Sequence, residues 1–152
     1  MKRWTHWLGV KSPDASTYVP SAPPREGDLC IQYLGTAGFV ISQDGHHVVL
    51  DPYVTRPDLS TSLTQPLVPN APLIKRLIPH ANDVLIGHAH HDHILDGPDL
   101  CKQTGARLIG SSSTMQVGIA AGLPPEQLVS TDGREDIASG AWTVRGFPSL
   151  RA

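Results

Sequence analysis

The sequence predicts a single α/β domain, and three observations carry that prediction. Apolar runs of strand length recur along the chain: LCIQYLG, FVIS, HHVVLD, DVLIG, RLIG and AWTVRGF. Between the later runs stand short segments with helical apolar spacing, which is the alternation of an α/β architecture. The 152 residues amount to one modest domain, long enough to bury roughly 68–70% of the surface of the unfolded chain.

Residues 1–27 are expected to be an extended arm, because KSPDASTYVPSAPPREG carries four prolines among small and polar residues. Trp4, Trp7 and Leu8 either dock that arm on the domain or belong to a loosely held terminus. The globular part, residues 28–152, opens with strands LCIQYLG and FVIS. Asp44-Gly45 suits a type I′ turn, so Phe39–Gln43 and His46–Leu50 should pair as a hairpin. His46 and His47 are then explained as strand residues beside a turn rather than as ligands. Residues 52–72 hold five prolines and predict a long surface loop with little regular structure. Asn70 can cap a helix whose stripe is Leu73, Ile74, Leu77 and Ile78, ended by Pro79. DVLIG reads as a strand buried on both faces. A short helix around Pro98–Thr104, strand RLIG, a helix from about Ser112 to Ala121 stopped by Gly122, and strand AWTVRGF complete the expectation.

Composition narrows the function classes. Twelve basic and fourteen acidic residues give a formal charge of −2, with no Lys/Arg cluster to follow a phosphate backbone, which argues against nucleic acid. Cys30 and Cys101 form no C-x-x-C pattern, and the expectation is two buried thiols in a reducing compartment. His6 and Lys11 interrupt the N-terminus before a signal-like apolar core develops, and no window reaches the roughly 18 apolar residues of a membrane span. A soluble, cytoplasmic chain is expected.

The chemistry concentrates in VLIGHAHHDHILDG, where H-x-H-x-D-H follows the buried strand. Open α/β sheets bind ligands at the carboxyl ends of their strands. In an extended strand end alternate residues share a side, so His88 and His90 can reach one ion, while Asp92 and His93 turn toward a neighbouring position. Imidazole with carboxylate and no thiol suits zinc first and admits iron or manganese. His91, a spacer in the pattern, is expected to face solvent or substrate.

HAHHDH behind a buried strand resembles the signature of the metallo-β-lactamase superfamily of metal-dependent hydrolases, and YLGTAGFVI and HHVVLDPY resemble the two strands that precede it. The recurring LGTAGF and LDP make the chain most similar to the branch of ascorbate-phosphate lactonases and N-acylphosphatidylethanolamine phospholipases. The resemblance runs from about residue 28 to the end. It implies an αββα sandwich, two mixed sheets between outer helices with two metals at one edge, of which this chain resembles the N-terminal half. It further implies that His88 and His90 hold the first metal and that Asp92 and His93 hold the second. Asp51 would then stand beside them as an acceptor that orients ligands; its other reading is a turn residue before Pro52. Relatives place a further histidine in a P-S-x-H context after the strand matching WTVRGF. Here Arg151 occupies that position, and a guanidinium has no free lone pair for a metal. The bridging aspartate and last histidine of the family lie in its second half, so the chain reads as a truncated form.

The function so implied is hydrolysis of an ester, lactone or phosphodiester-type bond by metal-activated water, with Asp92 holding a metal, orienting the nucleophile and carrying a proton. A non-catalytic metal-binding pseudoenzyme or fragment is one alternative, and an iron-using oxidoreductase on the same scaffold is another. The expected partners are a small-molecule or lipid-like substrate, with self-association or a separate C-terminal half. The loop at 52–72 is expected to border the pocket.

Overall fold

The computed structural model of the protein describes residues 25–132 and 135–147. Six strands form one mixed sheet in the order of the chain: β1 (Cys30–Gly35), β2 (Gly38–Gln43), β3 (His46–Leu50), β4 (Asp83–Leu85), β5 (Arg107–Gly110) and β6 (Leu128–Ser130). The first three pair antiparallel, and β3 to β6 run parallel. The β2–β3 turn is the predicted one: Asp44 and Gly45 have φ of 49° and 79°, the left-handed pair that a type I′ turn needs.

Residue parity divides the sheet into two faces. Leu34, Val40, Val49, Val84 and Leu108 form the face that buries against helices, all at 8% exposure or less. Covering them are α2 (Ala71–Leu77), α4 (Gly97–Thr104) and α5 (Ser112–Ala120); α2 contributes Ile74 and α4 contributes Leu100 and Cys101 to the same core, with Val117 of α5 packed against it. Each such aliphatic side chain, fully buried, stabilises the fold by about 1.5–3 kcal/mol. The helix starts follow from their caps, since Asn70 Oδ1 accepts from Leu73 N at 3.1 Å and Ser111 Oγ accepts from Thr114 N.

On the opposite face lies a second, two-stranded antiparallel sheet, β7 (Asp136–Ser139) and β8 (Trp142–Arg145). Its anchor is Asp83, a buried carboxylate at the start of β4. Asp83 accepts from Arg107 Nε at 2.6 Å and Nη2 at 3.0 Å, and from Ser139 Oγ at 2.5 Å. Arg107 also donates to the Ala138 carbonyl at 2.7 Å. Burying a carboxylate is costly unless it is paired, and here the pairing fastens the hairpin to the main sheet. The described layers are thus helices, a six-stranded sheet and a two-stranded sheet, the metallo-hydrolase fold expected from the resemblance.

Several expectations need correction. The loop at 52–72 contains a helix, α1 (Leu59–Thr64), capped by Asp58 and burying none of its residues. Strands β6 and β7 were not foreseen. Both cysteines are free, but only Cys101 is buried; Cys30, the first residue of β1, is half-buried. The proposed arm, with Trp4, Trp7 and Leu8, falls almost wholly outside the described residues, as does Arg151. Among the described residues no helix is long and apolar enough to cross a membrane.

Candidate metal centre

The histidine cluster sits where β3 and β4 end. Strand β4 stops at Leu85, Gly87 and His88 lie in a bend, and the chain then enters α3 (His91–Ile94). The strand alternation expected for His88 and His90 therefore does not hold. Donor atoms of His88, Asp92 and His93 lie within 4.8 Å of one another, so the tightest group crosses the two expected pairs. His90, at the N-terminal cap of α3, has its ring centre 4.6 Å from that of His88, and His93 comes within 3.9 Å of the same ring. All four predicted ligands are thus brought together across a bend and the first turn of α3 rather than along one extended strand end.

Asp51 joins them. Its backbone N–H extends the parallel ladder to the Leu85 carbonyl at 2.9 Å, and its φ of 40° turns the chain sharply after β3. The carboxylate then accepts from Gly87 N at 2.7 Å through Oδ1, while Oδ2 stands 3.0 Å from His93 Nδ1. That nitrogen is buried and, despite the short approach, its geometry with Asp51 is not that of a hydrogen bond. The converging donors of His88, Asp92 and His93, with a buried His93 nitrogen that makes no hydrogen bond, fit a divalent cation of the zinc or iron type. His93 Nε2 is 3.7 Å from Asp92 Oδ2, so His93 lies between the two carboxylates.

Two residues that the sequence reading passed over shape this centre. Asp96, fully buried at the junction of α3 and α4, accepts from Val54 N at 2.6 Å, Thr55 N at 2.8 Å and Thr55 Oγ1 at 2.5 Å. It thereby ties the segment after Asp51 to the helix carrying Asp92 and His93. Burial, opposed by those hydrogen bonds, raises the Asp96 pKa above its ordinary value. Tyr53 stands edge-on to His91, ring centres 6.1 Å apart. Burial, then Asp92 and Asp96, push its phenol pKa above the ordinary value. The sequence signals were LDPY and the aspartate after HDHIL; neither shows that the two segments meet. Cys101 is removed from the chemistry, since burial pushes its thiol up to about 12.

A cleft of about 460 Å³ opens beside the cluster, with Asp51, Gly87 and His88 at one wall and Ser111, Thr131 and Arg145 among its polar lining. Leu50, Leu85, Ile109 and Phe147 supply apolar surface. The loop expected to border the pocket does so behind the cluster instead, where Leu67 and Pro69 line a second, smaller cleft with Ala89 and His91.

Comparison with known proteins bears on the sequence family and the fold. No family model matches the chain. A UPF0173 metal-dependent hydrolase of Anaeromyxobacter sp. (strain K) is 32% identical over 110 residues, covering 70% of this chain and 36% of that protein. One from Pyrobaculum arsenaticum is 31% identical over 97 residues, covering 64% and 39%. The chain spans about two fifths of the length of the curated relatives it matches. Among solved structures, Igni18, a metallo-hydrolase from Ignicoccus hospitalis, superposes with a TM-score of 0.52 at 21% identity, over 72% of this chain and 42% of that one. CmlA, a diiron β-hydroxylase from Streptomyces venezuelae, gives 0.58 at 20%, over 85% and 25%. The chain is therefore similar in sequence to metal-dependent hydrolases and has the metallo-hydrolase fold.

Proposed function

We propose that the chain carries the metal-binding part of a metal-dependent hydrolase that attacks an ester, lactone or phosphodiester-type bond with metal-activated water. The observation that supports this most directly is the convergence of His88, Asp92 and His93 donors within 4.8 Å at the carboxyl ends of parallel strands. His88, His90, Asp92 and His93 hold the ion or ions, with zinc the first candidate for this donor set. A bound cation of this kind supplies Lewis acidity and a water acidic enough to lose its proton near neutral pH.

The residues of the chain do the rest. Asp92, its side chain 42% exposed, is open enough to accept the proton of an incoming water at its carboxylate. Asp51 places its carboxylate charge 3.0 Å from His93 Nδ1, on the side away from Asp92. Tyr53 stands edge-on to His91 behind the cluster and packs that side of the metal-binding segment. Substrate lies in the cleft beside His88, whose mixed lining takes a small molecule with both polar and apolar parts. The resemblance to lactonases and phospholipases is compatible with that lining, and a reducing, cytoplasmic setting with the two free thiols.

The test is metal content and turnover together. Purified protein should carry zinc by elemental analysis, and His88→Ala combined with Asp92→Ala should lower occupancy at least about tenfold. Unchanged metal content in that variant would sink the assignment. The likeness to a diiron β-hydroxylase favours one second reading, an iron-dependent oxidation, and it predicts iron rather than zinc in the same analysis.

A further inference from the structure

A second group of imidazoles lies at the other end of the sheet, far from the cluster in sequence and in the fold. His47 is the second residue of β3, on the face that elsewhere buries Val49, Val84 and Leu108 against helices. Its neighbours across the sheet are Ser42 on β2 and Asn82 before β4, so the apolar face gives way at this end to a polar margin. His80, from the segment between α2 and β4, comes to stand beside it, with ring centres 5.8 Å apart and planes tilted by 34°. The two residues are brought together only by the tertiary fold.

Their surroundings suit an ion. The rings line an open groove of about 510 Å³ with Gly45, Asn82, Gln103 and Thr104, and no Lys, Arg, Asp or Glu is among its walls. Asn82 is fixed there, because its Oδ1 accepts from His47 N at 2.8 Å and its own N–H donates to the His47 carbonyl. Gln103 is held through Nε2 on the Ala71 carbonyl at 3.3 Å. His46, the next imidazole along the strand, points to the opposite face and is taken by Ser139 at 3.0 Å. Two imidazoles bound to one ion at about 2.0–2.1 Å per nitrogen place their ring centres roughly 5–6 Å apart. The observed separation falls in that span.

We propose that His47 and His80 form a second metal site, a two-imidazole clip for a borderline divalent ion such as Zn²⁺ or Ni²⁺, completed by water. It contains no carboxylate, so hard ions such as Mg²⁺ and Ca²⁺ are excluded. It joins the start of β3 to the segment entering β4, and its role is to fasten that end of the sheet. An ion that binds only the folded chain raises its stability by mass action.

The experiment uses the full chain with His88→Ala, His90→Ala, Asp92→Ala and His93→Ala, which removes every ligand of the first cluster. Calorimetric titration with NiCl₂ or ZnCl₂ should give one equivalent, weakened at least about tenfold by adding His80→Ala or His47→Ala. His80 is exposed, so its substitution leaves the core alone. Saturating Ni²⁺ should raise the melting temperature of the silenced protein by about 5 °C and leave that of the His80→Ala form unchanged. The proposal is overturned if the silenced protein binds neither ion, or if His80→Ala binds as tightly as its parent.

Discussion

The two oxygens of Asp51 divide their work. Oδ1 is committed to Gly87 N, which fixes the carboxylate against the bend that presents His88, and Oδ2 is left facing His93. A Cβ on Gly87 would meet Oδ2 at 3.1 Å, closer than ordinary contact, so this glycine allows the carboxylate to sit where it does. Asp51→Asn keeps the size and an acceptor for Gly87 N but removes the charge next to His93. Outer partners of this kind are worth about 10–100-fold in metal affinity. Asp51→Asn is therefore expected to weaken zinc by that factor while changing the melting temperature little, and Gly87→Ala to weaken it in the same direction. Competition against a chelator of known affinity measures both. Zinc affinity equal to wild type in Asp51→Asn would make Asp51 a turn residue and nothing more.

At the scale of elements, Asp96 decides how the segment after β3 meets α3 and α4, and its titration gives a test. Its pKa in the fold is raised above the ordinary 3.8, so between those two values the folded state holds more proton than the unfolded. Stability from this group therefore falls as pH rises through that window, and returns as pH is lowered into it. Asp96→Asn removes the dependence. Urea unfolding from pH 7 downward should show the wild type gaining on the variant as the window is entered; parallel curves would mean that Asp96 does not titrate as described.

Those contacts also mark where the sequence stops being readable. The β2–β3 hairpin was legible because Asp44 and Gly45 set it within two residues, and α2 because Asn70 caps it locally. HAHHDH was legible as a ligand set through residue type and spacing. Its grouping was not, because β4 ends at Leu85 and a helical turn replaces the strand alternation. The helix α1 was hidden by the prolines around it and by having no buried face. Asp96 meets Val54 across 42 positions, and His47 meets His80 across 33; nothing local announces such pairings. Asp83 is likewise a strand residue in the sequence and the hairpin's anchor in the fold.

At the scale of the molecule, the two faces of the main sheet are unequally covered by the described residues. Helices close one face, whereas β7 and β8 sit over the Asp83 and Arg107 end of the other. Beyond them β1 and β2 present Ile31 at 62% exposure and Tyr33 at 53%, paired in register with Ile41 and Phe39. An apolar row of this kind on a sheet whose first strand is also an edge favours association through that face. The purified chain is expected to self-associate at tens of micromolar, or to bind a separate polypeptide that supplies further strands. Ile31→Lys with Tyr33→Lys places two charges on the row without touching the helix-covered core, so it should shift sedimentation toward monomer with little change in melting temperature. Phe147, 76% exposed at the mouth of the cleft, serves as the control, because Phe147→Ser removes an apolar side chain away from the row. A wild-type chain that sediments as a monomer throughout, or a double variant that associates as the wild type does, would show that the open face is tolerated as solvent surface.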